Sequence, residues 1–426
     1  MMLNFVLTLE LKTEKWQEDV LDKRFNIGRQ IYNACLGELF KRYNTMIQSK
    51  EYKKVLKMPK GKDKSKEFNK LNKKYGLTEY SLHKYVKPMQ HFFKKNIDSF
   101  TAQKIATRAF NTFKKHMFHE AKRVHFKKYG ELNSLEGKSN GTGIKFQDNR
   151  LVWNKLEVPA IIKKNDEYAQ IALENRIKYC RILRRFIKGK YKYYIQLVLE
   201  GVPPIKINKK TGEIKNTIGN GRVGIDIGTQ TIAISSEIDV KLLELAPEVN
   251  NIEKEKRILL RKLDRQRRAN NPNKYNKDGT IKRGNKDRWI KSNKYIKTQN
   301  ELRELQRKQA DIRKQSHERL ANYILGLGNE IYVEDMNYKG LQSRAKETTV
   351  NKKTGRNNKK KRFGKSLANK APSMFLTILD NKLKFNGSQL YKIDTWSVKA
   401  SQYNHIEDKY IKKNLNERWN DFGNCK

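Results

Sequence analysis

The stretch Gly221-Arg222-Val223-Gly224-Ile225-Asp226-Ile227-Gly228-Thr229-Gln230-Thr231-Ile232-Ala233-Ile234-Ser235 constrains the chain more than any other. Val223, Ile225 and Ile227 alternate with small or polar residues, which is the period of a half-buried strand. Ile232 and Ile234 begin a return strand, and Gly228 supplies the backbone freedom expected of the turn. Asp226 sets a carboxylate inside this apolar run. A buried charge is costly unless compensated, and a bound divalent cation is a common compensator. A structural Asp that accepts turn hydrogen bonds is the alternative, and this stretch alone leaves the two level.

Charge bears on the choice. Lys and Arg number 94 against 45 Asp and Glu, a net charge of +49 over 426 residues. Such an excess asks for a polyanionic partner, nucleic acid before an anionic membrane. Codon bias raises Lys but does not explain why acidic residues fail to balance it. The length allows two or three domains with sizeable cores. Cys35, Cys180 and Cys425 lie far apart with no C-x-x-C pair, so neither a zinc ribbon nor a disulfide framework is expected. No apolar run approaches the ~18 residues of a membrane span. Met1 to Glu10 is strand-like without a charged leader, so a cytoplasmic protein is expected.

Along the chain, Leu3 to Leu11 alternates as a strand. Trp16 to Gln48 reads as a helix with Val20, Leu21, Ile27, Ile31, Leu36, Leu39 and Phe40 on its apolar face. Lys50 to Lys74 reads as a loop or an exposed helix. Leu77 to Lys128 is a second helical block, in which Phe92, Phe93, Phe100, Phe110, Phe113, Phe118 and Phe126 are expected as core rather than as base-stacking rings. His116, His119 and His125 lack a completing ligand set and are read as exposed or packed. Gly130 to Gly143 marks a boundary. Strand patterns follow at Ile144 to Phe146, Leu151 to Val158, Ala169 to Leu173, Arg176 to Arg184 and Tyr191 to Leu199, which suggest a small β-barrel that the N-terminal strand joins.

After the central strands, Asn250 to Asn270 is a basic helix with Ile252, Leu259, Leu260 and Leu263 as its stripe, stopped by Asn271-Pro272-Asn273. A long helix, Asp287 to Leu325, follows. Two basic helices beside a sheet could wall a nucleic-acid channel, with Arg257, Arg261, Arg265 and Arg268 as phosphate ligands; the bland reading is a solvated hairpin. Glu330-Ile331-Tyr332-Val333-Glu334-Asp335 reads as a short buried strand ending in two carboxylates. Two carboxylates on separate strands of one sheet can converge on a divalent ion, which now favours a metal site at Asp226 and Glu334. Residues 342–370 form a basic, polar segment, a mobile loop in which Lys360, Lys361 and Arg362 are further phosphate candidates. A helix from Ala371 to Leu383 and a strand from Gln389 to Asp394 follow.

Together these features resemble the TnpB family, transposon-encoded RNA-guided nucleases related to type V CRISPR effectors. Tyr193 to Gly201, Val223 to Gly228, Ile331-Tyr332-Val333-Glu334-Asp335-Met336-Asn337 and Ser366-Leu367-Ala368-Asn369-Lys370-Ala371-Pro372 carry the resemblance. Ala400 to His405 and Leu415 to Trp419 look like a subgroup's tail. The resemblance implies an α/β multidomain fold: a split RNase H-like (RuvC) mixed sheet with helices, plus a small wedge barrel with an inserted helical recognition lobe. The expected division is barrel at 1–12 and 130–205, helical lobe at 13–129, linker at 206–220 and nuclease domain at 221–426. It implies a guide RNA and a target DNA as partners, Mg²⁺ held by Asp226 and Glu334, and a nucleoid-associated place in a prokaryotic cytoplasm. The family's third catalytic Asp lies beyond a stretch like Arg418-Trp419, and the chain stops soon after it, so a truncated nuclease domain is expected; Asp421 is left unassigned. The family's zinc ribbon is replaced by Ser401-Gln402-Tyr403-Asn404-His405, and no zinc is expected. A guided DNA-binding repressor without cleavage is the main alternative. An actin-like or sugar-kinase ATPase, suggested by Asp226-Ile227-Gly228-Thr229, and a basic transposase of another mechanism rank below it.

Overall fold

A computed structural model describes residues 3–426 except 122, 209, 286, 344–347, 351–354, 356–362, 395–396, 399–401, 405 and 412–426. The chain forms two compact units, Met1–Ile205 and Lys206–Lys426. No described helix is long and apolar enough to cross a membrane.

In the first unit, strand β1 (Asn4–Glu10) is followed by helices α1 (Lys15–Gln48), α2 (Lys50–Lys57), α3 (Lys62–Lys74), α4 (Glu79–Phe92) and α5 (Ser99–Met117). Strands β2 (Ser134–Glu136), β3 (Lys145–Gln147), β4 (Arg150–Trp153) and β5 (Leu156–Pro159), helix α6 (Glu167–Leu173), and strands β6 (Ile177–Ile187) and β7 (Lys190–Glu200) complete it. The strands make a four-stranded sheet, β1-β7-β6-β2, and a three-stranded one, β3-β4-β5. β1 pairs antiparallel with β7, Asn4 opposite Glu200 and Glu10 opposite Tyr194, so the five helices α1–α5 are inserted between β1 and β2. The helical core is dense: Leu21, Phe25, Ile31, Leu36, Leu39 and Phe113 are at most 1 % exposed.

Several expectations are corrected here. Ala169 to Leu173 is helical, because Asp166 caps it by accepting from the Ala169 amide at 3.1 Å. Of the two alternatives for Lys50 to Lys74 the helical one holds, as two helices, the first capped by the Ser49 hydroxyl, which accepts from the Tyr52 amide. Of the seven phenylalanines only Phe113 is fully buried, whereas Phe92, Phe118 and Phe126 are 83 %, 56 % and 50 % exposed. Phe92 ends α4, Phe118 caps the end of α5 and Phe126 lies past it, so no further helical turn covers these rings.

In the second unit, strands β8 (Arg222–Ile227), β9 (Thr231–Ser236) and β10 (Val240–Glu244) precede helices α7 (Val249–Asn270) and α8 (Asn293–Leu327). Strand β11 (Glu330–Glu334), helices α9 (Tyr338–Gln342), α10 (Gly364–Lys370) and α11 (Pro372–Phe385), strand β12 (Leu390–Ile393) and the small pair β13 (Tyr403–Asn404) and β14 (Lys409–Tyr410) follow. The five-stranded sheet runs β10-β9-β8-β11-β12. β8, β11 and β12 are parallel; β9 runs back antiparallel to β8, and β10, antiparallel to β9, returns to the direction of β8. One face packs Val223, Ile225, Ile227, Ile232, Ile234, Ile331 and Val333 against residues of α8 and α11, including Ile324, Leu325, Phe375 and Leu379. The β8–β9 turn closes by a Gly228 amide bond to the Thr231 carbonyl at 2.9 Å. Gly228 does not use a positive φ there, so the expected need for glycine freedom does not hold.

Candidate metal centre and cationic helix

Strand alternation decides where Asp226 points. With Val223, Ile225 and Ile227 committed to the core, Asp226 faces the opposite side of the sheet and is exposed. The expectation of a carboxylate buried in an apolar run is therefore corrected. On β11 the same alternation buries Ile331 and Val333 and turns Tyr332 and Glu334 to that second face. Because β8 and β11 are parallel with Ile225 level with Val333, the next residue of each strand brings Asp226 level with Glu334 on the same side.

Glu334 is half-buried. Burial, and then the nearby Asp226 carboxylate, push its carboxyl above the ordinary range. Among the described residues neither carboxylate has a cationic partner, although the chain carries 94 Lys and Arg. Asp335, one residue on, differs: Lys392 donates to it at 2.9 Å, both side chains being 61 % exposed. Asp394 follows the third parallel strand and accepts from the Ser397 hydroxyl. Among the described residues, no group of three or more His, Cys, Asp or Glu could hold a metal ion.

Three tyrosines of this part of the sheet were not singled out from sequence. Tyr338 opens α9, four residues past Glu334, and its hydroxyl is buried without a hydrogen-bond partner. Burial and the Asp226 charge push that hydroxyl up to about 12. A tyrosine one turn beyond a strand-end acid was the available signal. Tyr332 and Tyr391 stack on one another across β11 and β12, ring centroids 5.2 Å apart.

The candidate phosphate ligands lie on α7. Arg257, Arg261 and Arg265 are exposed and hold no carboxylate among the described residues. Arg268 is engaged: its Nε donates to Asp264 at 2.9 Å, its Nη1 to the Gly279 carbonyl at 3.0 Å, and it lies over the Tyr275 ring. Lys360, Lys361, Arg362, His405, Trp419 and Asp421 lie outside the described residues.

No family model matches the chain, and no curated protein does. Similar solved structures include a Cas12f1–sgRNA–target DNA complex, 11 % identical with a TM-score of 0.42 over 94 % of this chain and 91 % of that one. A CRISPR-Cas12f ternary complex is 13 % identical with a TM-score of 0.24 over 90 % of this chain and 76 % of that one. A Cas12i–crRNA–double-stranded DNA complex is 11 % identical with a TM-score of 0.25 over 89 % of this chain and 56 % of that one. At these TM-scores the likenesses carry no weight for the site.

Proposed function

We propose that this protein is an RNA-guided DNA-binding protein of TnpB type, whose second unit is a RuvC-like, Mg²⁺-dependent nuclease domain. The observation that supports this best is the pair Asp226 and Glu334, level on adjacent parallel strands and without a cationic partner among the described residues of a strongly cationic chain. Burial and then the Asp226 charge raise the cost of ionising Glu334, and a divalent ion would relieve it. The mixed sheet with its two acids on neighbouring parallel strands fits the RNase H-like domain the sequence resemblance implies, and β1 with β2–β7 fits the wedge around an inserted helical lobe. Asp226 and Glu334 would hold Mg²⁺, which when bound supplies Lewis acidity for phosphodiester hydrolysis. Tyr338 offers a hydrogen-bond donor beside Asp226. Guide RNA would select the target by base pairing, while the protein reads a short flanking motif and the backbone.

A second reading, guided DNA binding without cleavage, is favoured by one observation: among the described residues no third ligand joins the two carboxylates. One experiment separates them. The full chain is purified with RNA transcribed from its own locus, and a matched duplex is offered with Mg²⁺ or with chelator. Cleavage that vanishes in Asp226→Asn and Glu334→Gln supports the nuclease. Matched binding without cleavage supports the second reading. If no RNA co-purifies and matched DNA binds no better than unmatched, both fail.

A further inference from the structure

Twenty-two residues, 271–292, join α7 to α8. Helix–helix connections usually need about 2–8, and a longer one is generally functional or disordered. This one is built. Asn271, 5 % exposed, ties its two ends: its Nδ2 donates to the carbonyls of Arg267 and Ile290 at 2.9 Å, and its Oδ1 accepts from the Ile290 amide at 2.7 Å. Lys274, also 5 % exposed, donates to Asn285 and to the Asp287 carbonyl. Between them Tyr275 bridges Ile281 as an antiparallel pair, and Gly279 turns the chain at φ +77°.

The head so formed is cationic and aromatic. Seven Lys or Arg against two Asp give residues 271–292 a net charge of +5. Lys277, Lys282, Arg283, Arg288 and Lys291 are exposed, and none meets a carboxylate among the described residues. Trp289 is 37 % exposed and Ile290 66 %. Arg267 and Lys274 lie 5.6 and 5.0 Å from the Trp289 ring, and Tyr275 meets it edge-on at 6.0 Å. Lys274 is a buried ammonium whose oxygen partners are both neutral, so its charge is not cancelled locally. The head closes the turn end of the α7–α8 hairpin. Hydrogen bonds from Lys256 to Gln309, from Gln266 to Thr298 and from Asn270 to Ser292 lead up to it, about 25 Å from Gln309 at 1.5 Å per helical residue.

We propose that residues 271–292 form a docking head for single-stranded nucleic acid, with Trp289 stacking on an unpaired base and Arg288, Lys291, Lys282 and Arg283 neutralising the flanking phosphates. Unpaired bases stack on aromatic rings with little sequence preference, and phosphate contacts make such binding salt-dependent. An apolar protein partner fits less well, because the exposed apolar groups are interleaved with cations. The inference needs neither Asp226, Glu334 nor a guide.

The test uses the full chain in chelator, so the carboxylate pair plays no part. Fluorescence anisotropy is read with a short labelled single-stranded DNA, the RNA of the same sequence, and the duplex; the two single strands distinguish DNA from RNA as the natural ligand. Single strands should bind tighter than duplex. Trp289→Ala should weaken them about tenfold, the loss of one stacked base, while Trp289→Phe keeps most of the affinity. Arg288→Gln with Lys291→Gln should lower the salt slope by roughly 0.7 for each lost phosphate contact. Hydrogen exchange at the Ile290 amide, held by Asn271, reports whether the head remains folded. Wild-type affinity in both the Trp289→Ala and the double variant, or duplex binding as tight as single strand, would overturn the proposal.

Discussion

The two units place their arginines differently. In the first, Arg24 is 3 % exposed; it donates to the carbonyls of Trp153 at 2.8 Å and Asn154 at 2.9 Å and lies 4.4 Å from the Trp153 ring centre. Burial, opposed by Asp98, pulls its guanidinium down to about 10. Arg184, 8 % exposed, pairs with Asp22 and lies over Phe25 and Tyr191. These cations join helix to strand. In the second unit, Arg257, Arg261 and Arg265 stand on the outside of α7. The helices differ likewise. α1 and α5 enclose an apolar core, whereas the α7–α8 seam pairs Leu263 and Leu302 with Thr298, Gln309 and Gln266. A net charge of +49 is thus two populations, one structural and one available to a partner.

Arg24→Ala should have the largest effect. It strips the buried Trp153 carbonyl and the part-buried Asn154 carbonyl of their donor and opens space against Trp153, at a cost of about 3 kcal/mol. Urea unfolding followed by Trp fluorescence reads it. A change below ~0.5 kcal/mol would make Arg24 one of the available cations and erase the contrast.

Leu263→Ala should cost less, about 1–2 kcal/mol, because a seam with few apolar neighbours loses little more than the transfer term. The loss should be local, seen as faster hydrogen exchange along α7 and the start of α8, with the first unit unchanged. A loss as large as that of Arg24→Ala, spread over the second unit, would show that the hairpin is as firmly packed as the α1–α5 block.

A smaller effect concerns the carboxylates. Glu334 has its carboxyl raised above 4.5, so between that value and its native one the folded state binds more protons than the unfolded. Stability therefore falls as pH rises through that window. Asp226→Asn removes one cause and should lower the Glu334 midpoint in a carbon-detected NMR titration. An unchanged midpoint would mean that the two side chains do not sense each other.

Much of this was legible in the sequence. Alternation at Val223, Ile225 and Ile227 already implies that Asp226 leaves the core face, since the period of a strand is two. The pairing of its strand with the one ending at Glu334 follows from the parallel register, which local pattern does not encode. Short segments were the weak point: five residues from Ala169 suit either a strand or a helix, and Asp166 as cap decides. The clasp of Asn271 on Ile290 was not legible, because it joins residues 19 apart through one side chain. Exposure of Phe92, Phe118 and Phe126 was hidden for a related reason, since helical spacing does not say where a helix stops.

The smallest effect on stability, and the sharpest test of the contrast, belongs to Arg257, Arg261 and Arg265. Their spacing of four residues puts them on one face, about 6 Å apart along the helix. With no carboxylate holding them among the described residues, replacing all three by Gln should change stability by less than ~0.5 kcal/mol. If they meet phosphates, the slope of log affinity against log salt should fall by roughly 0.7–0.9 for each one lost. Arg268 serves as the internal control, since it is tied to Asp264, Gly279 and Tyr275. Arg268→Gln should loosen the head and shift hydrogen exchange there, a change the triple variant should not show. Equal salt slopes for wild type and triple variant would leave the outer arginines as a solvated face, and the available cations would then have to be sought in the head alone.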